Sequence, residues 1–589
     1  MKYRSEIDGL RALAVVPVIL FHSGFELFGG GFVGVDVFFV ISGYLITTIL
    51  IEEIESDRFS LLNFYERRAR RILPALFFVM LICIPFAWMW MLPDPLENFG
   101  QSLVATVLSA NNILLFLTTG YWDLASEFKP LLHTWSLGIE EQYYIFFPIF
   151  LIVVWRLGRE VLLLSIAIIL ITSLSLSEWL SYGSPEEAFY LIHTRAWELL
   201  FGSVAAFIVH KNGVKNNNLL ALIGFLAIIF SILAYDVNTP FPGVYALVPV
   251  LGVLLLVLYA GEETFVAKLL SFKVIVGIGL VSYSAYLWHQ PLLAFAKIYS
   301  KNEPVFLTNL ILVFFTFFLA YFSWKYIEKP FRNKIIINGS TLIFIISFAS
   351  ILLVGFGYSA HKTHGFVSRV FEDSVLSSDM YISYNERNYE FIKDEFQSKA
   401  TTKKILVVGD SFGRDFVNVL RETYNLSLFE LIYRDDYDTC TLITSETGKI
   451  FASTADVIIL ATVNILDDGH CSADAIEFAN KTNAKIFFIG TKQFGFNHNW
   501  IARTDLDKRK LLRNPVLLDT KNADFNASEI IPADNYISIM QPLMNDEGVL
   551  VTDELGRLLS PDRAHLTKYG AIYIGREIIR KSALDPFLK

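Results

Sequence analysis

The sequence predicts an α-helical bundle that spans a membrane many times, followed by a C-terminal α/β domain. Of its 589 residues, 54% are hydrophobic and only 18% are charged, whereas an average soluble protein has about 25% charged residues. The apolar residues are concentrated before residue 361, in runs of membrane-spanning length. After residue 361, charged residues become frequent and the apolar runs shorten to the length of strands.

The apolar region contains twelve candidate spans, and the charges of the loops indicate which of them cross. The candidates lie near residues 10–25, 33–52, 72–92, 102–118, 142–156, 161–176, 194–209, 219–235, 243–260, 274–296, 305–326 and 341–358. Basic loops stay in the cytoplasm, but a crossing of the run 102–118 would place Arg156 and Arg159 outside. Asn111 and Asn112 also interrupt that run. We therefore expect it to stay within the bundle, which leaves about eleven transmembrane helices.

This topology predicts a cytoplasmic N-terminus and a C-terminal domain on the outer side of the membrane. Residues 1–335 form the membrane domain, and 336–360 form an additional transmembrane helix. Residues 361–400 form a linker or extension outside the membrane, and 401–589 form the α/β domain. The first run is predicted to be an uncleaved anchor. The net charge of −9 gives no indication of nucleic-acid binding, and three cysteines do not suggest a metal cluster.

Two ionisable residues stand on the first predicted span. Ionisable groups inside a membrane are energetically expensive and are functional candidates for that reason. Arg11 and His22 lie eleven residues apart, which is about three helical turns and about 16 Å along one face of a helix. The predicted topology puts Arg11 near the cytoplasmic surface and His22 in the outer half of the membrane. The alternative is an arginine that reaches the membrane surface and a buried histidine without a functional role.

The other ionisable residues of the apolar region separate by side. The outer side holds His133, Glu140, Glu141, His193, Arg195, Glu198 and His289. The inner side holds Arg67, Arg68, Arg70, Arg71, Lys329 and Arg332. Guanidinium groups bind phosphate with paired hydrogen bonds, so the inner arginines are candidates to hold a phosphate-bearing donor. The outer histidines and glutamates are candidate acid/base groups. The alternative for the arginines is that they only determine the topology.

Six motifs occur in order between about residues 5 and 335. They read DGLRALAVVPVILFH, GGFVGVDVFFVISGYLIT, FYERRARRILP, HTWSLGIEEQYY, YSAYLWHQP and YIEKPFR. Together they resemble the acyltransferase-3 family of integral membrane acyltransferases. The Arg-x10-His signature of that family matches Arg11 and His22, and its arginine motif matches the four arginines after the second span. The resemblance implies acetyl-CoA as the cytoplasmic donor, a glycan as the outer acceptor, and membrane lipid around the helices. It implies no resident cofactor.

A candidate nucleophile follows the first predicted strand of the C-terminal region. The strand Lys403–Val408 runs directly into Gly409, Asp410 and Ser411. A strand, a tight glycine turn and a helix together expose a serine at the end of a sheet, where it is placed to act as a nucleophile. Taken alone, a Gly-Asp-Ser triplet also fits a simple turn.

Partners for this serine occur further along the chain. Asp562 and His565 are three residues apart, so on a helical turn the carboxylate would orient the imidazole. The alternative is a charged turn. The strand Val457–Leu460 leads to Asn464, whose side-chain amide is placed to enter an oxyanion hole.

The Gly-Asp-Ser block, the Asn block and the Asp-x-x-His block resemble the SGNH hydrolase family over about residues 401–589. This resemblance implies a three-layer, flavodoxin-like α/β fold with Ser411 as nucleophile, His565 as general base and Asp562 as its orienting acid. It also implies an oxyanion hole made of the Ser411 backbone amide and the Asn464 side chain. The Asn block reads ATVN here, in place of the family's Gly-x-Asn-Asp.

The cysteines give one further expectation. Cys83 lies within a predicted span, whereas Cys440 and Cys471 belong to the C-terminal domain. A compartment outside the cytoplasm permits a disulfide between Cys440 and Cys471. The alternative is two free thiols.

The fusion of these two parts resembles bacterial O-acetyltransferases of cell-surface polysaccharides, which places the protein in the inner membrane with a periplasmic C-terminal domain. We expect acetyl to pass from acetyl-CoA, with the help of His22 and Glu140 or Glu141, to Ser411. His565 would then activate a sugar hydroxyl. Lipopolysaccharide O-antigen is the first expectation for the acceptor, with peptidoglycan and exopolysaccharide as alternatives. Other classes to weigh are a glycan or lipid transporter with a vestigial SGNH domain, and an esterase.

Overall fold

The computed structural model describes residues 3–118, 126–372, 375–380, 382–397, 402–463 and 469–589. The chain divides into two compact units. The first, which we call the helical unit, comprises Met1–Trp88, Glu97–Ala296 and Pro304–Lys362. The second, which we call the α/β unit, comprises Met89–Leu96, Lys297–Glu303 and Thr363–Lys589.

Helices and connecting turns make up the described chain from Ser5 to Lys362. The α-helices are α1 (Ser5–His22), α2 (Gly34–Glu55), α3 (Leu61–Trp90), α4 (Pro93–Val107), α5 (Asn111–Thr118), α6 (Thr134–Trp155), α7 (Arg159–Gly183), α8 (Pro185–Tyr190), α9 (Ile192–Asn212), α10 (Asn218–Ala234), α11 (Leu247–Tyr259), α12 (Phe265–Leu270), α13 (Lys273–Tyr299), α14 (Phe306–Ser323), α15 (Lys329–Arg332) and α16 (Gly339–Lys362). A π-helical turn, Trp324–Glu328, joins α14 to α15.

Seven helical segments in the described part of the chain are long and apolar enough to cross a membrane. They are Gly31–Glu55, Leu61–Trp90, Thr134–Trp155, Arg159–Gly183, Pro185–Asn212, Phe306–Arg332 and Gly339–Lys362. α10 and α11 are apolar but shorter, and α1 and α13 are not among the seven. The run 102–118 is not one helix, because α4 ends at Val107 and α5 begins at Asn111. The protein is therefore a multi-pass membrane protein, and the number of eleven spans stays a prediction.

Close backbone packing joins α2 to α9 in the centre of the helical unit. A Cβ atom on Gly43 of α2 would lie 1.8 Å from the carbonyl oxygen of Leu199 on α9. Small residues at such positions let membrane helices approach closely and gain van der Waals contact. α1 packs against α2, and α6 packs against both α2 and α9.

The described strands of the α/β unit are β1 (Lys403–Val408), β2 (Phe429–Arg434), β3 (Val457–Leu460), β4 (Lys485–Ile489), β5 (Arg513–Asn514), β6 (Tyr536–Ile537), β7 (Met544–Asn545) and β8 (Gly548–Leu550). Five of them form a parallel sheet with the order β2-β1-β3-β4-β6. The other three are short and form a second, antiparallel sheet in the order β5-β8-β7. The α-helices are α17 (Ile382–Glu386), α18 (Ser411–Thr423), α19 (Thr439–Thr444), α20 (Glu446–Thr454), α21 (Gly469–Thr482), α22 (Leu518–Ile530), α23 (Met540–Leu543) and α24 (Lys568–Glu577).

Alternate residues of β1 point into two separate cores. Ile405 and Val407 join a core that includes Phe416 of α18 and Ile574 of α24. Leu406 and Val408 join a second core that includes Phe451 of α20 and Ala475 of α21. A sheet buried on both faces by helices is the three-layer arrangement that the sequence predicts for this region.

α17 and the 3-10 helix Arg387–Phe391, both within the segment 361–400, pack against α18. The Asn388 side chain donates to the carbonyl oxygen of Arg414 at 3.0 Å, and the Asn418 side chain donates to Asn385 Oδ1 at 2.6 Å. All four residues are buried. Both contacts lie within the α/β unit, and the description of the whole segment 361–400 as a linker or an extension stays a prediction.

Candidate active site

Ser411 is the first residue of α18, in the turn that follows β1. β1 lies between β2 and β3, so the chain leaves its carboxyl end at the topological switch point of the sheet, where ligands of such folds bind. The turn depends on Gly409, which has a φ of +148°. A Cβ atom there would lie 1.9 Å from the carbonyl oxygen of Ala461, so this position requires glycine.

Asp410 holds the turn in place. Its side chain accepts a hydrogen bond from the Phe412 amide at 2.9 Å, which caps α18. Its other oxygen accepts from the Val463 amide at 3.0 Å, which ties the segment after β3 to the turn that carries Ser411. Asn464, the next residue, lies outside the described residues, so its oxyanion role stays a prediction.

Asp562 and His565 are in direct contact. His565 Nδ1 donates to Asp562 Oδ2 at 2.6 Å. Asp562 Oδ1 accepts from the amides of Ala564 and His565 at 2.7 and 2.9 Å. The pairing agrees with the expected roles, but the helical turn that we expected is wrong, because these bonds form an Asx-type turn. With Nδ1 protonated, the neutral imidazole carries its lone pair on Nε2, as a general base requires.

Each member of this pair shifts the pKa of the other. Burial alone would raise the pKa of Asp562, but the neighbouring His565 and the two backbone amides outweigh burial and lower it well below its usual range. Burial alone would lower the pKa of His565, but the carboxylates of Asp562 and Asp415 outweigh it and raise that pKa. The basic form of His565 therefore prevails only above this raised pKa.

α18 also carries a residue that bonds to the Asp562–His565 turn. Asp415 follows Ser411 by four residues, so both side chains lie on one face of α18. Asp415 Oδ2 accepts from the amide of Leu566 at 3.0 Å. Leu566 directly follows His565, so this bond attaches the Asp562–His565 turn to the face that carries Ser411. Asp415 is not among the residues that the sequence motifs single out.

Cys440 of α19 and Cys471 of α21 form a disulfide bond, as the sequence predicts. The bond joins two helices that lie on either side of the strand β3 in the chain. Cys83 is free and buried in the helical unit.

Replacing both bridge cysteines with serine is expected to lower the free energy of unfolding of the α/β unit by about 3 kcal/mol. The reason is that a cross-link over 31 residues restricts the unfolded chain by roughly that amount. Scanning calorimetry of the full-length protein in detergent measures the loss. A reductant should reproduce it in the wild type and leave the double variant unchanged. Equal unfolding temperatures for both proteins would contradict the expectation.

The helical unit contains a cavity lined by three of the predicted donor-binding arginines, Arg11, Arg68 and Arg71. It encloses about 810 Å³ of empty space, including the part open to solvent. Glu140 lines the same cavity and accepts a hydrogen bond from Tyr144 at 2.8 Å. The cavity thus combines three guanidinium groups, which suit phosphate, with one carboxyl group.

Arg67 and Arg70 are not part of this cavity. Arg67 pairs with Glu53 at 2.7 Å, and Arg70 pairs with Glu66 at 2.8 Å. Arg70 also donates to the backbone carbonyl of Ile337 at 2.6 Å. The structure therefore does not support the expectation that these two arginines bind the donor. The spacing of the motif could not reveal this, because it does not say which guanidinium groups meet carboxylates.

Two other candidates have local structural roles. Arg195 is fully buried, with Asp36 at 3.0 Å and Glu198 at 2.9 Å, and thereby joins α9 to α2. His193 lies 3.4 Å from Glu187 and its side chain is 44% exposed. Neither residue lines the arginine cavity, so the expectation of a role at the membrane site is not supported for them.

Three histidines from distant parts of the chain come together in the helical unit. The ring centroids of His22 and His289 are 5.2 Å apart, and those of His289 and His133 are 5.4 Å apart. His22 Nδ1 donates to the Val18 carbonyl at 3.0 Å, so in the neutral ring Nε2 carries the lone pair. His289 Nδ1 donates to the Tyr286 carbonyl at 2.6 Å. Among the described residues, no three potential ligands are arranged to hold a metal ion.

Tyr286 connects the histidine cluster to the arginine cavity. Its ring lines the cavity, and its hydroxyl donates to the His133 carbonyl at 2.9 Å. The hydroxyl of Ser136, which also lines the cavity, lies 2.7 Å from that of Tyr286. Glu141 does not line the cavity, and its buried Oε1 has no hydrogen-bond partner in the described ranges.

Comparison with known proteins identifies the helical unit. A family model described as an acyltransferase domain matches residues 4–325, which is more than half of the chain. The chain belongs to the acyltransferase-3 family. It is 33% identical to the peptidoglycan O-acetyltransferase OatA of Listeria monocytogenes over 356 residues, 57% of each chain. It is 30% identical to the O-acetyltransferase OatA of Staphylococcus aureus over 358 residues, 56% of this chain and 58% of the relative. The match thus spans less than two thirds of these relatives.

In this acyltransferase-3 domain, Arg11 lies near the middle of α1 and lines the cavity, whereas His22 is the last residue of α1 and belongs to the histidine cluster. The family match ends at residue 325, before Thr363–Lys589, the segment that makes up most of the α/β unit. The likeness of that unit to SGNH hydrolases therefore stays a prediction, which the Ser411 turn and the Asp562–His565 contact support.

Proposed function

We propose that this protein is a membrane O-acetyltransferase that uses acetyl-CoA to acetylate hydroxyl groups of peptidoglycan through an acetyl-serine intermediate. The observation that carries the proposal is the occurrence, in one acyltransferase-3 chain, of an arginine-lined cavity and a serine at a sheet switch point with a histidine–aspartate pair tied to its helix. In this proposal the N-terminus faces the cytoplasm and the α/β unit faces outward.

The acceptor in this proposal differs from our first expectation. From the sequence we expected lipopolysaccharide O-antigen first and peptidoglycan second. The relative from Listeria monocytogenes is named a peptidoglycan O-acetyltransferase, and the relative from Staphylococcus aureus carries the same short name. Their names favour the peptidoglycan alternative over O-antigen and exopolysaccharide.

Acetyl-CoA suits the cavity because its phosphates are the groups that guanidinium binds best. Arg11, Arg68 and Arg71 would hold these phosphates. Tyr286 and Ser136 line the cavity, and Tyr286 bonds to the backbone of His133 in the histidine cluster. In the proposal, the hydroxyl of an acetyl carrier attacks the thioester carbon of acetyl-CoA while His22 takes the hydroxyl proton on Nε2. The carbon–sulfur bond breaks, and His22 gives that proton to the thiolate of CoA.

The second half of the reaction takes place at Ser411. Its Oγ bonds to the acetyl carbon as the bond to the previous carrier breaks, and His565 takes the serine proton and returns it to the leaving group. A glycan hydroxyl then attacks the acetyl-serine. His565 takes the hydroxyl proton and gives it to Ser411 Oγ as the ester breaks. The amide of Ser411 and the Asn464 side chain would stabilise the oxyanion.

Substituting Arg71 with glutamine is expected to raise the KM for acetyl-CoA about tenfold or more, because a hydrogen bond to a charged group contributes about 1.5–3 kcal/mol. Arg67→Gln is the matched control, since Arg67 belongs to the same motif but pairs with Glu53. The measurement is the transfer of radiolabelled acetyl from acetyl-CoA to peptidoglycan in membrane vesicles. Equal KM values for the two variants would remove the support for donor binding in this cavity.

The same vesicle assay tests the proposed function itself. We expect labelled acetyl esters on peptidoglycan that depend on this protein and on acetyl-CoA. An esterase would release acetyl from already acetylated glycan without acetyl-CoA. A transporter would leave the acetyl content of peptidoglycan unchanged when the protein is deleted. Either result would contradict the proposal.

A further inference from the structure

A buried ion pair lies beside the proposed serine, histidine and aspartate. Lys492 Nζ lies 2.7 Å from Asp415 Oδ2, and the two side chains are 5% and 0% exposed. Removing two charges from water is energetically expensive, and well-packed apolar residues often give the same or greater stability. A contribution to stability therefore does not explain this ion pair, and its location indicates its role.

Each partner of the pair also holds the backbone on one side of His565. Asp415 Oδ2 accepts from the amide of Leu566 at 3.0 Å. Lys492 Nζ donates to the carbonyl of Ala564 at 2.8 Å. The residues before and after His565 are thus fixed by two groups that are fixed to each other.

The pair also contacts the helix that carries the proposed nucleophile. Asp415 lies one helical turn after Ser411 on the same face of α18. The ammonium of Lys492 lies 3.3 Å from the ring centroid of Phe412, the residue that follows Ser411. One ion pair therefore contacts both the helix of the nucleophile and the turn of the base.

We propose that Asp415 and Lys492 are positioning residues, which hold His565 against Ser411 and set the balance of charge on its imidazole. This inference rests on the proposed acetyl-serine chemistry. It adds two residues that neither sequence motif contains.

The charges that face the imidazole explain the second part of the role. Asp562 and Asp415 raise the pKa of His565, and Lys492 lowers it. Lys492 is itself faced by Asp415, Asp410 and Asp562, while burial lowers its own pKa. Removing one partner of the ion pair should therefore change the basicity of His565, in a direction that depends on which partner is removed.

The test is hydrolysis of p-nitrophenyl acetate by the full-length protein in detergent, followed from acid to neutral pH at the isosbestic wavelength of p-nitrophenol. Ser411 attacks the ester, p-nitrophenolate leaves, and water releases acetate from the serine. The rate of Ser411→Ala gives the background. If Ser411→Ala hydrolyses as fast as the wild type, the proposed function fails at this site, whatever the other variants do.

Lys492→Met is expected to move the acidic limb of the plot of kcat against pH to higher pH, and Asp415→Asn is expected to move it to lower pH. Each shift should be about half a pH unit to one pH unit. Both variants should lose about tenfold to a hundredfold in kcat with little change in KM, because the base is misplaced. Lys492→Arg keeps the charge, so it should keep the wild-type limb and recover most of the rate.

Lys481→Met is the matched control, because Lys481 pairs with Glu477 on an exposed helix face. It should leave both rate and limb unchanged. Calorimetry identifies any variant that has lost its fold. If Lys492→Met is such a variant, the near-isosteric Asp415→Asn still tests the inference through the expected shift of its acidic limb to lower pH. If Lys492→Met and Asp415→Asn lose rate but their acidic limbs do not shift in opposite directions, the inference is overturned. Loss of hydrolysis in Ser411→Ala would in that case still support the acetyl-serine step.

Discussion

Ser411→Ala is expected to reduce peptidoglycan acetylation by at least about 10³-fold, the usual effect of removing the nucleophile of a serine-based catalytic site. Ser411 stands at the switch point of the sheet, and Gly409 and Asp410 fix its turn. The Asp562–His565 turn is bonded to the same helix. Without the hydroxyl, acetyl has no acceptor at this position, so both acetyl transfer and hydrolysis of p-nitrophenyl acetate should disappear.

Proton NMR of ester-linked acetyl in purified peptidoglycan measures this effect in a deletion strain that carries each variant. Ser528→Ala provides a matched control, because it removes an exposed hydroxyl from α22 of the same unit. Full acetylation in the Ser411→Ala strain would mean that the helical unit acetylates the glycan directly and that the α/β unit is not part of the reaction.

His22→Gln is expected to abolish peptidoglycan acetylation while p-nitrophenyl acetate is still hydrolysed at the wild-type rate. His22 belongs to the histidine cluster behind the arginine cavity, in the helical unit. Ser411 belongs to the α/β unit. We therefore expect a soluble ester to react at Ser411 without any step in the helical unit. The loss in transfer should be at least about 10²-fold, as for other general bases.

The contrast between the two activities makes this prediction specific. His193→Gln is the control, since His193 is half-exposed in the same unit and does not line the cavity. If His22→Gln also stops hydrolysis of the soluble ester, its effect is on folding. If it leaves acetylation intact, the histidine cluster does not take part in transfer.

The place of Ser411 and the Asp562–His565 contact could be predicted from the sequence because the signals for them are local. A strand, a glycine and a capping aspartate are consecutive, so they place Ser411 at the start of α18 wherever the rest of the chain lies. Asp562 and His565 are close enough in sequence to meet in one turn. Asp415 and Lys492 were missed because their pairing joins α18 to the segment after β4, and no spacing in the sequence announces it.

For the arginine cavity, the sequence indicated the types of residue but not their arrangement. Arg71 lines the cavity whereas Arg70, one position earlier, meets Glu66 and a backbone carbonyl. A helix turns by about 100° per residue, so neighbours in one motif face different surroundings. The meeting of His22, His133 and His289 likewise depends on how three helical segments pack, which hydropathy and charge do not encode.

The central claim is that acetyl travels from acetyl-CoA to Ser411 by way of the helical unit. Vesicles that contain the full-length protein would receive isotopically labelled acetyl-CoA without acceptor glycan, and acid-quenched samples would be digested and analysed by mass spectrometry. The account predicts labelled acetyl on the peptide that contains Ser411 in the wild type, and none in His22→Gln or Ser411→Ala. Equal labelling of that peptide in His22→Gln and the wild type would contradict the claim, as would labelled glycan in a parallel sample whose Ser411 peptide never carries label.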